Sequence, residues 1–237
     1  VGRRLRVYSR GVLATLGDLV DDIVVQLAGP INVATDTSSI ILRRRGGSAA
    51  NVAATAGVLG QPVRFLGQVG ADAVGAALVA ELKAAGVDTQ FVHRSGSTGA
   101  IVVLVAPDAE RSMLTDRRTC AELDDPRPEW LDDVTTLHVP LYSLIEGATA
   151  MTAATLIGWA HDRDVAVSLD LSSTALMTEA GLDSVRALVA RLRPSSVFAN
   201  RSEVDMYGLD QLPADAIAVV KNGPDPALIR VPPGANT

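Results

Sequence analysis

What most limits the fold of this chain is an alternation. Short β-branched and apolar runs, too brief for helices, are separated by stretches with helical spacing. "PVRFLGQVG" is followed by "DAVGAALVAELKAAG", "TTLHVPL" by "GATAMTAATLIGWAHDRD", and "VAVSLDLSS" by "GLDSVRALVARLR". "SSVFAN", the short helix "RSEVDMYG" and the strand "AIAVVKNG" continue the series. Strands separated by helices cannot be joined by tight hairpins. They pair in parallel, with the crossovers covering both faces of the sheet. No internal repeat or low-complexity linker divides the 237 residues, so the pattern predicts a single α/β domain over 1–237. Only 3% of the residues are aromatic, so that domain must build its core from Ala, Val and Leu.

Two extended stretches break the alternation, at about 19–45 and about 98–117. In the second, "GAIVVLVA" and "RSMLTD" flank the turn "PDAE" and read as a hairpin. Together the two stretches predict a small β-sheet that projects beside the α/β crevice as a lid. Within the main unit, Gly60 is expected to end the helix in "NVAATAGVLG". Asp72 is expected to cap the next helix, and Gly86 to stop it.

Bulk properties exclude several classes of function. A net charge of −6 gives no general electrostatic reason to bind nucleic acid or a membrane surface. The single cysteine, Cys120, cannot form an intrachain disulfide and reads as a small buried hydrophobe in a reducing compartment. His93, His138 and His161 lie far apart, without metal-ligand spacing. The basic start "VGRRLRVYSRGVLATLG" has no apolar h-region and reads as a frayed lead into the first strand. No apolar run reaches membrane-spanning length, so a soluble, cytoplasmic protein is expected. The chain has no G-x-x-x-x-G-K-[ST] loop and no G-x-S-x-G elbow, and "GQVGADAVG" lacks dinucleotide-binding spacing.

What remains is a set of polar residues at strand ends, where open parallel sheets gather ligands. Asp18 and Asp22 follow the first strand, and Gly46, Gly47 and Asn51 open the first helix. Asp170 ends "VAVSLD", Asn200 ends "SSVFAN", and Lys221–Asn222–Gly223 ends "AIAVV". Asn51 sits among Ala50, Val52, Ala53 and Ala54, which offer its amide nothing to bond. Buried and unpaired there it would cost about 1–3 kcal/mol, so it either satisfies a backbone turn or faces a hydroxyl-rich ligand. Gly46–Gly47 either offer N–H groups to a bound oxygen or simply make a tight turn. Plainer readings also exist for Asp22 as a solvated strand residue, Glu203 as a surface carboxylate and Lys221 at a strand edge. Arg43–Arg44–Arg45 reads as a solvated loop stretch rather than a phosphate grip.

The spacing of Gly46, Gly47, Ala49, Asn51, Ala53, Gly60 and Gly70 resembles the first signature of the ribokinase-like, phosphofructokinase-B type carbohydrate kinases. The likeness continues in "GDLVDDIV", in "TGAIVVLVAPDAERSMLTDR", in "NRSEVDMYG" with its N-x-x-E element, and in "VVKNGPDPALI". The resemblance implies a three-layer α/β/α fold with a mostly parallel central sheet and the small projecting lid. It implies that Asp22, Gly47 and Asn51 hold the acceptor's hydroxyls, with Gly46 shaping the turn. It further implies that Glu203 and Asn200 organise Mg²⁺ and the ATP phosphates, and that Lys221 and Gly223 line the nucleotide site. The implied reaction is transfer of the ATP γ-phosphoryl group to a hydroxyl of a sugar or sugar-like substrate. A nucleoside kinase of the same fold, or an inactive sugar- or nucleotide-binding homologue, is the alternative. Small-molecule substrates are the expected partners, together with a second copy of the chain paired through lid strands.

One element of the family pattern does not occur in the chain: the second signature, D-T-T-G-A-G-D or a close variant, which supplies an anion hole and the catalytic aspartate. No other residue takes its place as base, Asp170 being the one strand-end carboxylate to consider. Between "MYGL" and "AIAVV" the six residues "DQLPAD" also look too few for a crossover helix. Both features lead to the expectation that segments of a longer chain, including the C-terminal part of the family fold, are not in this sequence.

Overall fold

The computed structural model describes residues 11–232; the basic stretch 1–10, read above as a frayed lead-in, lies outside the described residues. The chain opens with β1 (Val12–Leu16), β2 (Val20–Leu27), β3 (Ser39–Gly46), α1 (Ser48–Val58), β4 (Val63–Val69), α2 (Ala73–Ala84) and β5 (Val92–Arg94). The hairpin β6 (Ala100–Val105) and β7 (Arg111–Asp116) follows, then β8 (Val134–Pro140), α3 (Tyr142–Ile145), α4 (Gly147–Asp162) and β9 (Ala166–Asp170). The last described elements are α5 (Thr174–Ala180), α6 (Leu182–Leu192), β10 (Ser196–Asn200), α7 (Arg201–Tyr207), β11 (Ile217–Asn222) and β12 (Asp225–Arg230).

The predicted alternation becomes an eight-stranded sheet in the order β12-β11-β10-β9-β8-β1-β4-β5. Every pairing in it is parallel except that of β12 with β11. The two stretches that broke the alternation make a separate four-stranded sheet, β3-β2-β6-β7. Helices cover both faces of the large sheet. On one face, Leu16, Leu137, Val167, Leu169, Val197 and Val220 meet Leu156 and Ile157 of α4, Val185 and Val189 of α6, and Val204 and Tyr207 of α7. On the other, Ala49, Ala50, Ala53 and Ala54 of α1 pack with Leu78 and Leu82 of α2 against Val63, Phe65 and Val69. The four alanines bring α1 flush against the strands, a consequence of the aromatic-poor composition. No helix among the described residues is long and apolar enough to cross a membrane.

Local chain signals act where they were expected. Gly60 follows α1 with φ +75°, and Gly86 follows α2 with φ +84°. The Asp72 carboxylate accepts the Gly75 N–H at 2.8 Å and so caps α2. It also accepts the Thr98 N–H at 2.8 Å and the Thr98 hydroxyl at 2.6 Å, tying α2 to the start of the hairpin.

Two expectations need correction. The crossover from β10 to β11 lacks no helix. The pair is parallel, and α7 together with a 3-10 turn over Leu209–Gln211 carries the chain across. The short helix is itself the crossover element, so residues 212–216 need only bridge a gap. Asn51 is not buried either. The alanines at 49, 50, 53 and 54 face the sheet, which turns Asn51 and Thr55, one helical turn apart, outward.

The bonds to Gly75 and Thr98 hold the Asp72 carboxyl well below its ordinary value, at about 2. A carboxyl depressed on folding stabilises the fold above its unfolded value and loses that contribution as pH falls towards the folded one. Asp72→Ala should therefore cost about 1–2 kcal/mol in urea unfolding at neutral pH. The gap between the two proteins should narrow as pH falls from about 4 to about 2. A gap that is absent at neutral pH, or independent of pH across that range, would contradict this role.

Candidate active site

The carboxyl ends of β1, β8, β9, β10 and β11 all point to one edge of the large sheet, where the smaller sheet joins. The junction is made by Gly46 and Gly47. Gly47 adopts φ +97°, and a side chain on it would collide with the Asp18 carbonyl. A side chain on Gly46 would collide with the Asp22 carboxylate, so Asp22 of β2 lies directly over the glycine that ends β3. Burial, and then the neighbouring charge of Asp21, push the Asp22 carboxyl above its ordinary value. Asp22 Oδ1 is buried and has no hydrogen-bond partner. Buried acceptors without donors are uncommon and costly, and this one lies at the junction of the two sheets.

Neighbouring carboxylates are compensated. Asp18 receives both arms of Arg117, Nε at 2.7 Å and Nη2 at 2.8 Å, a bidentate pair joining the end of β1 to the end of β7. Asp21 pairs with Arg43. Asp170 is bound by Lys221 Nζ at 2.7 Å on one oxygen and by the Ser172 N–H at 2.8 Å on the other. That leaves Asp170 little room to act as a base.

Between α1 and the face of β8–β11 opposite α4 and α6 lies a cavity of about 840 Å³. Asn51 and Ser48 line one wall, and Asp170, Lys221, Ser168 and His138 line the other. His138 Nδ1 lies 3.0 Å from Ser168 Oγ, and its Nε2 is buried without a partner. Burial lowers the His138 pKa, opposed by Asp170 and reinforced by Lys221. Leu13, Val52, Leu59 and Phe198 supply apolar surface.

The structure thus brings the sequence-derived residues into three groups. Asp22, Gly46 and Gly47 meet at the junction, while Asn51 and Lys221 face each other across the cavity. Asn200 and Glu203 bind each other in a capping box. The Asn200 N–H donates to Glu203 Oε2 at 2.8 Å, Asn200 Nδ2 to Oε1 at 2.7 Å, and the Glu203 N–H to Asn200 Oδ1 at 2.9 Å. Glu203 is only 3% exposed and has both oxygens engaged, so as held here it offers no free oxygen to a metal. No group of three or more His, Cys, Asp or Glu among the described residues could hold a metal ion. Gly223 makes the turn between β11 and β12 with φ +60° and open space around it. Cys120 is buried, its thiol pushed up to about 12 chiefly by burial, and plays no reactive part.

Sequence reasoning missed Arg117 and misread Arg45: the run Arg43–Arg44–Arg45, expected as a solvated loop stretch, lies on β3, and the Arg45 side chain turns in towards α1 and α2. Arg45 Nη2 donates to Asn51 Oδ1 at 3.3 Å and Nη1 to Glu81 at 3.0 Å. The spacing from Arg45 to Asn51 is that of neighbouring elements, but Arg117 and its partner are 99 residues apart, beyond any local pattern.

Fold and junction together define an α/β protein with a cavity on one face of its large sheet, and comparison with known proteins makes the class specific. The model of the pfkB family of carbohydrate kinases matches residues 15–230. The chain belongs to that family. Fructokinase-1 of Zea mays is 30% identical over 143 residues, which cover 58% of this chain and 43% of the maize protein. The chain spans less than half the length of the curated relatives it matches. Among solved structures, adenosine kinase from Sinorhizobium meliloti superposes with a TM-score of 0.80 at 21% identity, over 96% of this chain and 79% of that one. Fructokinase with bound ATP from Xylella fastidiosa gives 0.75 at 20% identity, over 93% and 75%. Both share the ribokinase-like fold.

Because Lys221 helps hold His138 neutral, His138 should titrate below 6.5 in an NMR pH series, and Lys221→Met should move its midpoint upward. A midpoint that stays put or moves down on removal of Lys221 would contradict the electrostatic arrangement of the cavity.

Proposed function

We propose that this protein transfers the γ-phosphoryl group of ATP to a hydroxyl of a sugar or sugar-like substrate held at the Gly46–Gly47 junction. The observation that carries the reading is the orphaned, buried Oδ1 of Asp22. A carboxylate oxygen with no protein donor is suited to a ligand O–H. Gly47 lets the chain pass within contact of the Asp18 carbonyl and so carries it from Asp22 to Asn51 at the start of α1. Asn51, exposed at the start of α1, supplies a second polar contact to the acceptor. No side chain caps α1, so its first N–H groups are available to an oxygen of the substrate.

ATP as donor is supported by family membership and by the ATP-bound fructokinase neighbour. In this reading Asn200, Lys221 and Gly223 border the nucleotide. Bound Mg²⁺ would neutralise charge on the transferring phosphate. Glu203, with both oxygens on Asn200, would act on such an ion only through its waters, and no step is assigned through the metal. No residue of this chain is assigned as the base that takes the acceptor's proton. What these residues contribute is orientation, exclusion of water and charge placement, which dominate phosphoryl transfer. The smaller sheet would serve as a lid. Its outer strands β3 and β7 carry exposed Ile40, Ile41, Met113 and Leu114, which would also suit pairing with a second copy.

A nucleoside acceptor is the second reading, favoured by the apolar walls that Leu13, Val52, Leu59 and Phe198 give the cavity, which would suit a flat base. ADP release measured over pentoses, hexoses, keto-deoxy acids and nucleosides separates the two. Turnover with one acceptor class is expected, and none with any acceptor would contradict a kinase. Asn51→Ala should raise the acceptor KM about tenfold with little change in the ATP KM. Equal losses in both would make Asn51 a structural residue instead.

A further inference from the structure

Asn51 is a residue of two faces. On one side it borders the cavity shared with Ser48, Asp170 and Lys221. On the other it touches Arg45, which belongs to a separate, smaller cavity of about 330 Å³ between the four-stranded sheet and α2. Arg45 is the last side chain of β3 before the two glycines, and its side chain is only 17% exposed. One arm of its guanidinium is held by Glu81 of α2 at 3.0 Å, and the other reaches Asn51 Oδ1 of α1 at 3.3 Å.

The chemistry of this contact fixes a direction. A guanidinium donates hydrogen bonds and accepts none. The atom that Asn51 turns to Arg45 must therefore be its oxygen, and the planar amide then turns Nδ2 to the opposite side. Nδ2 makes no hydrogen bond among the described residues, which leaves both its N–H groups for the cavity. An asparagine amide free to flip would offer either a donor or an acceptor. Held by Arg45 it offers only donors, with the cation behind it polarising the N–H bonds.

We propose that Arg45, braced by Glu81, is a positioning residue that locks the Asn51 amide as a hydrogen-bond donor to a lone pair on the acceptor substrate. The proposal rests on the reading of the junction as an acceptor site. It divides the recognition between two residues: Asp22 accepts from a substrate hydroxyl, and Asn51 donates to a substrate oxygen. Because Arg45 sits on the smaller sheet and Asn51 on the main body, the contact also ties the amide's direction to the position of that sheet. A shift of β3 away from α1 would release the amide and weaken the substrate's hold at the same moment.

Two substitutions separate positioning from support. Arg45→Met removes the hold while keeping the aliphatic stem. Asn51→Asp keeps, and strengthens, the pairing with Arg45 but replaces the donor with an acceptor. The side-chain amide of Asn51 is followed by ¹⁵N–¹H NMR, and binding of D-fructose, D-ribose and adenosine by calorimetry with ATP binding as control. In Arg45→Met the Asn51 amide signals should shift and lose their restricted rotation. The affinity for whichever probe the wild type binds should fall about fivefold with ATP affinity unchanged. Asn51→Asp should keep the wild-type melting temperature and lose probe binding by more than that. Amide signals unaltered in Arg45→Met would overturn the proposal. So would altered signals with unchanged probe affinity, or Asn51→Asp binding as the wild type does. If the wild type binds none of the probes, the acceptor site itself is refuted and the proposal falls with it, whereas the NMR result alone reports whether Arg45 holds the amide.

Discussion

The site depends on a steric constraint: at positions 46 and 47 there is no room for a side chain. β3 leaves the smaller sheet and becomes α1 of the main body by passing between the Asp22 carboxylate and the Asp18 carbonyl. That passage brings β2, which carries Asp22, and α1, which carries Asn51, to the same edge of the large sheet. The alanines at 49, 50, 53 and 54 extend the same logic, because a helix with larger residues there would stand off from β1 and β4. Arg45, immediately before the glycines, then reaches both α1 and α2 without any further turn of the chain.

Around this passage the charges are arranged so that one carboxylate differs from the rest. Asp18, Asp21 and Asp170 each face an arginine or lysine, and each of the three pairs joins separate elements of the fold. Pairs removed from water need such partners, since either charge left alone would be costly. Asp22 has none. Its burial and its neighbour Asp21 both disfavour ionisation, so a donor arriving from a ligand would relieve an existing cost. Glu203 illustrates the contrary case: it too is buried, and Asn200 engages both its oxygens, so its role as seen is to start α7.

Much of the architecture was legible because it is local. The alternation of strand and helix, the Asp72 cap, the Gly60 and Gly86 stops and the hairpin after Thr98 are all written within a few residues. The four-stranded sheet followed from two stretches that had no helix between strands. What escaped was long-range or masked. Arg117 finds Asp18 only through the fold. β12 was not anticipated, because Gly223, Pro224 and Pro226 interrupt any strand pattern there. Its place at the edge of the sheet, antiparallel to β11, is where a proline is tolerated. Asn51 was expected in the core because its neighbours are small and apolar, yet those neighbours face the strands and the amide does not. α7 was recognised as a helix but not as the crossover, because the residues after it were counted without it.

The account turns on the close approach at Gly46, and Gly46→Ala is its most direct test. A methyl there must displace the Asp22 carboxylate, which supplies the three atoms nearest to it. Calorimetry of the folded variant with D-fructose, D-ribose, adenosine and ATP, alongside its melting temperature, reads the consequence. The account predicts that ATP binding and the melting temperature stay near wild type while binding of the acceptor is lost. Acceptor binding as tight in Gly46→Ala as in the wild type would contradict it.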